Sequence, residues 1–138
     1  PLEPGFQVVN IGTAGALRDG VSGLQFPGRV INHDISSDVL TGMGIQVDDE
    51  ITVIGDSDVV LATGDTFVAD VAARAALAVR ASLVDMEGFA IAWACRQARV
   101  PVAFVKHVSD NADTTALSWP DLVDASAREL GTWLAENL

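Results

Sequence analysis

The sequence contains little cysteine, few basic residues and no long apolar run. Cys95 is its single cysteine, so an internal disulfide is excluded. Because it lies in an apolar helical stretch, we interpret it as a small core residue in a reducing compartment, the cytoplasm. No secretory signal is recognisable, and no apolar run approaches the roughly 18 residues of a membrane span, so no membrane association is expected.

Positive charge is also scarce. The 138 residues include 8 basic and 19 acidic side chains, which gives a formal net charge of −11. The basic residues are scattered and form no stripe. Because such a chain would repel a phosphate backbone, nucleic-acid binding is not expected.

Apolar residues, in contrast, are abundant. They make up 49% of the chain, and its mean hydropathy is +0.33. This excess favours buried parallel strands or an oligomer interface. The length predicts one domain with a substantial core. Because the chain opens on Pro1 and not on methionine, we expect that further residues precede it in the intact protein.

Short β-branched runs alternate with alanine-rich helical stretches. Strands are predicted at residues 8–11, 29–33, 59–63, 82–85 and 102–107, helices at 68–79 and 88–99, and a loop at 36–50. A last helix is predicted to begin with a capping box of Ser118 and Asp121. Its apolar face would consist of Leu122, Leu130, Trp133, Leu134 and Leu138.

This alternation predicts a three-layer α/β/α domain with a mainly parallel or mixed central sheet. In such sheets a ligand binds beyond the carboxyl ends of the strands. Three polar clusters are expected there: the Gly12 to Gly15 segment, Gly64-Asp65 and Ser109-Asp110. Their coincidence predicts a binding site at this edge.

Each cluster also has a simple structural interpretation. The segment Gly12-Thr13-Ala14-Gly15 could be an ordinary turn after a strand. In Asp85-Met86-Glu87-Gly88 the acids could cap the following helix, or Glu87 could accept hydrogen bonds from a vicinal diol, and the sequence favours neither. Ser109-Asp110 could begin an Asx turn.

Four ordered segments together resemble a known family. They are Asn10-Ile11-Gly12-Thr13-Ala14-Gly15, Ala62-Thr63-Gly64-Asp65-Thr66-Phe67-Val68, Val84-Asp85-Met86-Glu87-Gly88 and Val108-Ser109-Asp110-Asn111-Ala112-Asp113. Their order and approximate spacing are similar to those of the 5′-methylthioadenosine/S-adenosylhomocysteine nucleosidases, within the purine nucleoside phosphorylase superfamily. Leu117-Ser118-Trp119 resembles the family's Leu-Ser-Phe segment.

The resemblance implies an enzyme that hydrolyses the N-ribosidic bond of adenine nucleosides and releases adenine. It implies that Asp110 is the general acid that protonates N7 of adenine, and that Glu87 binds the ribose hydroxyls. The substrate-binding residues that it implies are Thr13, Ala14, Gly15, Phe67, Val68, Asp85, Met86, Ser109 and Trp119. Phe67 would stack on adenine, and Trp119 would close the pocket near the 5′ group. The resemblance implies a homodimer and no metal ion or other cofactor.

Some family features are not found in the chain. The family's water-activating glutamate belongs to an amino-terminal strand region, which we expect to lie before Pro1. Lys106 stands where the family often has arginine, and residues 35–50 do not align.

Three alternatives stay open. A phosphate-dependent nucleoside phosphorylase is disfavoured because the hexameric type has an arginine at the position of Asn10. Futalosine hydrolase usually has Ser-Asn where this chain has Ser109-Asp110. A non-catalytic nucleoside-binding relative would account for the missing glutamate.

Overall fold

The structure is a computed structural model that describes residues 5–138. Within them, seven strands form one sheet, in the spatial order β2-β7-β1-β6-β5-β3-β4. The strands are β1 (Val8–Ala16), β2 (Leu24–Gln25), β3 (Pro27–Asn32), β4 (Glu50–Thr52), β5 (Asp56–Thr63), β6 (Leu83–Asp85) and β7 (Val102–Asp110). The β1/β7, β3/β5 and β5/β6 pairs are parallel, whereas β1/β6, β2/β7 and β3/β4 are antiparallel. The sheet is therefore mixed, one of the two forms that the sequence predicts.

The sheet also curls. Ile54, just after β4, forms an isolated parallel bridge with Ala103 in β7. Its N–H donates to the Val102 carbonyl at 2.9 Å. The curl brings the β4 edge of the sheet back toward β7.

Within residues 5–138 there are also four α-helices and one 3-10 helix. They are α1 (Ser37–Gly42), α2 (Val71–Ala78), α3 (Gly88–Ala98), the 3-10 helix (Thr114–Ser118) and α4 (Trp119–Asn137). Helices α1, α2 and α3 connect strands, whereas the 3-10 helix and α4 follow β7. The Asp70 carboxylate caps α2 by accepting the Ala73 N–H at 2.8 Å. Helix α3 ends where Arg99 adopts a left-handed conformation with φ 56°.

Two apolar clusters lie on opposite faces of the sheet, because side chains alternate along each strand. On one face Leu61 and Leu83 pack with Phe89 and Ala92 of α3. On the other face Ala62 and Val84 pack in a cluster that Ala73 and Leu77 of α2 cover. The predicted three-layer arrangement is thereby confirmed. Cys95 belongs to the α3 cluster, and burial raises the pKa of its thiol.

The strand ends differ from the sequence prediction. Strand β1 continues through the glycine-containing segment to Ala16, so the expected turn at residues 12–15 is wrong. Strand β7 likewise continues to Asp110. Both extensions follow from the parallel β1/β7 pairing, which provides hydrogen-bonding partners for the backbone of these residues. Glycine is compatible with a strand where a neighbouring side chain approaches the backbone closely.

Two further predictions need correction. Residues 36–50, predicted as a loop, contain α1 and the first residue of β4. Ser118 occupies the N-cap of α4, but its side chain makes no capping hydrogen bond, since the preceding 3-10 helix leads directly into α4.

The packed face of α4 is also narrower than predicted. Ser126 and Leu130 are its buried residues, while Leu122, Leu134 and Leu138 are exposed. Ser126 Oγ lies 2.8 Å from His107 Nδ1 of β7, so a polar contact replaces part of the apolar face that the sequence predicts.

Candidate active site

A cavity of about 370 Å³ opens at the carboxyl ends of β1, β6 and β7. All eleven site residues predicted from the sequence line it. They are Thr13, Ala14, Gly15, Phe67, Val68, Asp85, Met86, Glu87, Ser109, Asp110 and Trp119, and Thr66 and Val84 complete the lining. The structure therefore brings five separate sequence segments to one place, while the role of each residue stays a prediction.

An irregularity in β7 explains how consecutive residues face one cavity. Ala14 pairs with Val108, but Gly15 pairs with Asp110, which leaves Ser109 as an extra residue in the ladder. In a regular strand Ser109 and Asp110 would point to opposite faces. A bulge of this kind re-aims side chains and is common beside active sites.

Asp110 is buried, and both of its carboxylate oxygens are held. Oδ1 accepts the Ala112 N–H at 2.8 Å, and Oδ2 accepts the Ser109 hydroxyl at 2.8 Å. The first bond is an Asx-type contact, so the structural interpretation of this residue is part of the observed geometry. Gly15 lies beside the carboxylate, since a Cβ at Gly15 would be 3.0 Å from Oδ1.

The two acids around Met86 have different environments. Asp85 is buried, and its carboxylate accepts the Thr63 hydroxyl at 2.6 Å and the Gly88 N–H at 3.0 Å. Thr63 Oγ1 in turn accepts the Phe89 N–H at 3.0 Å. Asp85 and Thr63 therefore cap α3. Burial raises the pKa of Asp85, while the Lys106 ammonium and the Thr63 hydroxyl act in the lowering direction.

Glu87, in contrast, makes no capping hydrogen bond, although it occupies the N-cap position of α3. Its side chain is 49% exposed, and Oε1 accepts from Lys106 Nζ at 2.6 Å. The sequence leaves open whether these acids cap the helix or whether Glu87 binds a ligand. In the structure Asp85 caps the helix, whereas the Glu87 side chain is available to the cavity.

Large apolar side chains border the cavity. Phe67 and Met86 are each 48% exposed, and Trp119 is partly exposed at the start of α4. The Trp119 indole N–H points to Thr13 Oγ1 at a long 3.4 Å. Apolar walls around a few polar groups are typical of small-molecule sites.

Among residues 5–138, the cavity lining contains three carboxylates and no lysine, arginine or histidine. Within residues 5–138 no group of three or more potential ligands is placed to hold a metal ion. Across the same residues, every helix is too short or too polar to traverse a bilayer.

Sequence reasoning missed two supporting residues, Thr63 and Lys106. Thr63 ends a strand and had no visible partner, since Asp85 follows 22 residues later. Lys106 offered a clearer signal, because it interrupts an apolar strand, and a buried lysine requires a carboxylate nearby.

Comparison with known proteins identifies relatives of this chain in sequence and in fold. The chain is 35% identical to an aminodeoxyfutalosine nucleosidase of Helicobacter pylori over an alignment of 78 residues, which covers 54% of this chain and 34% of that protein. A 5′-methylthioadenosine/S-adenosylhomocysteine nucleosidase structure from Helicobacter pylori superimposes with a TM-score of 0.81 at 23% identity, over 94% of this chain and 66% of the other.

A Streptococcus pneumoniae MTA/SAH nucleosidase structure in complex with 8-aminoadenine gives a TM-score of 0.77 at 26% identity, over 94% of this chain and 67% of the other. The chain thus spans about two thirds of the length of these solved structures. The sequence model of one family, described as the phosphorylase superfamily, matches residues 6–135. Since that match includes every strand of the sheet and every residue that lines the cavity, this chain belongs to the phosphorylase superfamily.

Proposed function

We propose that this protein hydrolyses the N-ribosidic bond of adenine nucleosides of the 5′-methylthioadenosine and S-adenosylhomocysteine type. The products would be adenine and the 5-substituted ribose. The observation that carries the proposal is the placement of Asp110 and Glu87, two carboxylates with different surroundings, in one cavity with apolar walls. Two carboxylates of unlike environment suit a reaction with an oxocarbenium-like transition state.

Asp110 would act as the general acid. Adenine leaves poorly as an anion, and a proton delivered to N7 makes it a neutral leaving group. Such a donor typically contributes about 10²–10⁴-fold to the rate. The contacts of Asp110 with Ser109 and Ala112 support this role, because they fix the direction of the carboxyl group.

Glu87 would accept hydrogen bonds from the ribose 2′- and 3′-hydroxyls. With Oε1 held by Lys106, the half-exposed side chain keeps Oε2 for a ligand. A carboxylate at this position would also stabilise the positive charge that develops on the sugar. Phe67 would stack on adenine, and Trp119 would border the 5′ substituent.

The charge of the cavity favours water over phosphate as the second substrate. A phosphorylase must bind a dianion, for which proteins commonly use arginine or lysine. The described part of the chain contributes three carboxylates and no cation to the lining of this cavity. Hydrolysis therefore agrees better with the geometry than phosphorolysis.

The test is adenine release from 5′-methylthioadenosine and S-adenosylhomocysteine, measured with and without inorganic phosphate. We expect release in the absence of phosphate. An absolute phosphate requirement would identify a phosphorylase instead. Nucleoside binding without any release would identify a non-catalytic relative.

A second candidate substrate is aminodeoxyfutalosine, because the 35% identical relative is an aminodeoxyfutalosine nucleosidase. The same two carboxylates would serve that reaction, and only the 5′ part of the pocket would have to accept a larger group. Rates for the three nucleosides, compared at equal concentration, distinguish the two candidates. A clear preference for aminodeoxyfutalosine would replace our first choice of substrate.

We further infer that the protein is a cytoplasmic homodimer. Exposed apolar side chains support association, among them Val39, Met43, Leu117, Leu122 and Leu134. Sedimentation at micromolar concentration should show a dimer, and a monomer there would refute this inference.

A further inference from the structure

The Lys106 side chain has no solvent exposure. No other basic residue in the described part of the chain is fully buried. Lys106 belongs to β7 and points to the same sheet face as Phe104, which is a member of the apolar α3 cluster. An unpaired ammonium there would be strongly unfavourable. Its Nζ lies 3.0 Å from Asp85 Oδ2 and 2.6 Å from Glu87 Oε1, so both carboxylates compensate it.

The strand register explains how the three groups meet. Gly12 of β1 is the parallel neighbour of Lys106, and β6 runs antiparallel to β1 from the Gly15–Val84 pair. The residues that follow Val84 therefore return along β1 toward Gly12. Glu87 thus arrives opposite Gly12 and beside the lysine ammonium.

Gly12 provides the space for this contact. A Cβ at this position would lie 3.1 Å from Lys106 Nζ and 3.4 Å from Glu87 Oε1. The first of these contacts is tighter than ordinary van der Waals separation, so a side chain here would displace the ammonium by a few tenths of an ångström, and Glu87 is bonded to that ammonium.

The two carboxylates are not equivalent partners of Lys106. Asp85 is fixed by Thr63 and by the Gly88 N–H, so it anchors the ammonium. Within residues 5–138, the Glu87 carboxylate has Lys106 as its one hydrogen-bonding partner. The orientation of Glu87 in the cavity therefore depends on Lys106.

We propose that Lys106 is a positioning residue that, anchored by Asp85, orients the Glu87 carboxylate toward the ribose hydroxyls of the substrate. This assignment rests on the proposed function and adds a determinant of its ribose selectivity. Lys106 does not line the cavity, so its effect on the substrate is transmitted through Glu87.

The test measures ribose selectivity, the ratio of kcat/KM for 5′-methylthioadenosine to that for its 2′-deoxy counterpart. The double variant Lys106→Met/Asp85→Asn removes the buried ion pair as a unit and leaves no unpaired buried charge. We expect its selectivity to fall by about tenfold, the effect of losing one hydrogen bond to a charged group. Gly12→Ala retains every charge and should lower the selectivity by about two- to threefold.

Val105→Ala is the matched control. Val105 is equally buried in β7 but points to the opposite face of the sheet, so its truncation destabilises the fold without touching Glu87. Its selectivity should equal that of the wild type. If Lys106 were only structural, the double variant would lose activity on both substrates by the same factor.

Unchanged selectivity in both Gly12→Ala and the double variant would overturn the assignment and leave the proposed hydrolysis intact. A wild-type selectivity near one would also overturn it, because Glu87 would then not read the ribose hydroxyls. A wild-type protein that releases no adenine from either substrate would overturn the proposed function and this assignment together.

Discussion

Asp110→Asn is the most direct test of the chemistry, because it changes proton transfer more than structure. The asparagine Oδ1 can still accept the Ala112 N–H, and its amide can donate to the Ser109 hydroxyl in place of the present 2.8 Å bond. The free energy of unfolding should therefore change by about 1 kcal/mol or less. The amide offers no transferable proton, so adenine release should fall by about 10²-fold or more while nucleoside binding survives.

The assay is the initial rate of adenine release, with the melting temperature measured on the same samples. A nitrophenyl riboside provides a second substrate, since its aglycone leaves without protonation at N7. The loss of rate should be milder with that substrate. A melting temperature close to that of the wild type would show that the loss is chemical.

Asp113→Asn is the matched control for this experiment. Asp113 lies three residues further on, outside the cavity lining, and accepts both the backbone N–H and the hydroxyl of Thr115. Its variant should release adenine at close to the wild-type rate. If Asp110→Asn also kept nearly the wild-type rate on every substrate, Asp110 would only cap its loop, and its assignment as the acid would be wrong.

Three further predictions concern the site and its surroundings. Glu87→Gln should lower kcat/KM for ribosides by about tenfold or more, because the charged acceptor for the ribose hydroxyls is lost, and steady-state kinetics will show it. Gly64→Ala should destabilise the fold by about 1–3 kcal/mol, since its Cβ would overlap the His33 ring; an unchanged melting temperature would contradict this. The hydrogen bonds from Thr115 lower the pKa of Asp113. The part of the stability lost in Asp113→Ala that depends on the Asp113 charge should therefore be present at pH 7 and disappear as the pH falls through the ordinary and then the lowered pKa. Melting curves from pH 7 to about 2 would test this, and a pH-independent loss would exclude it.

Hydrophobic patterning was sufficient to predict the architecture. The five predicted strands all lie in the sheet, because they contain apolar runs that are buried on both faces, as in Val60–Leu61–Ala62. Strands β2 and β4 contain two and three residues and lie at the edges of the strand order, where little burial is needed to hold them. Elements this short leave no periodic signal.

The carboxyl end of β1 was also not predictable, and the reason is different. Glycine is usually a sign of a turn, and Gly12 and Gly15 therefore suggested that β1 stops at Ile11. In the structure each glycine provides space for a side chain from elsewhere, Lys106 at Gly12 and Asp110 at Gly15. A local pattern contains no information about a neighbour that lies about a hundred residues away in the sequence.

The different roles of Asp85 and Glu87 show most clearly what determines a site in this fold. Both acids flank Met86 at a strand-to-helix junction, and their local sequence is compatible with capping or with ligand binding. The Thr63 hydroxyl, from the adjacent parallel strand, donates a hydrogen bond to Asp85 and holds its carboxylate at the start of α3. Because Asp85 and Thr63 already accept the first N–H groups of α3, the Glu87 side chain is left half-exposed beside the cavity, and Lys106 from β7 holds one of its oxygens. The availability of Glu87 to a substrate thus depends on three side chains from three strands, Thr63, Asp85 and Lys106, so the loss of any of these side chains should lower ribose selectivity.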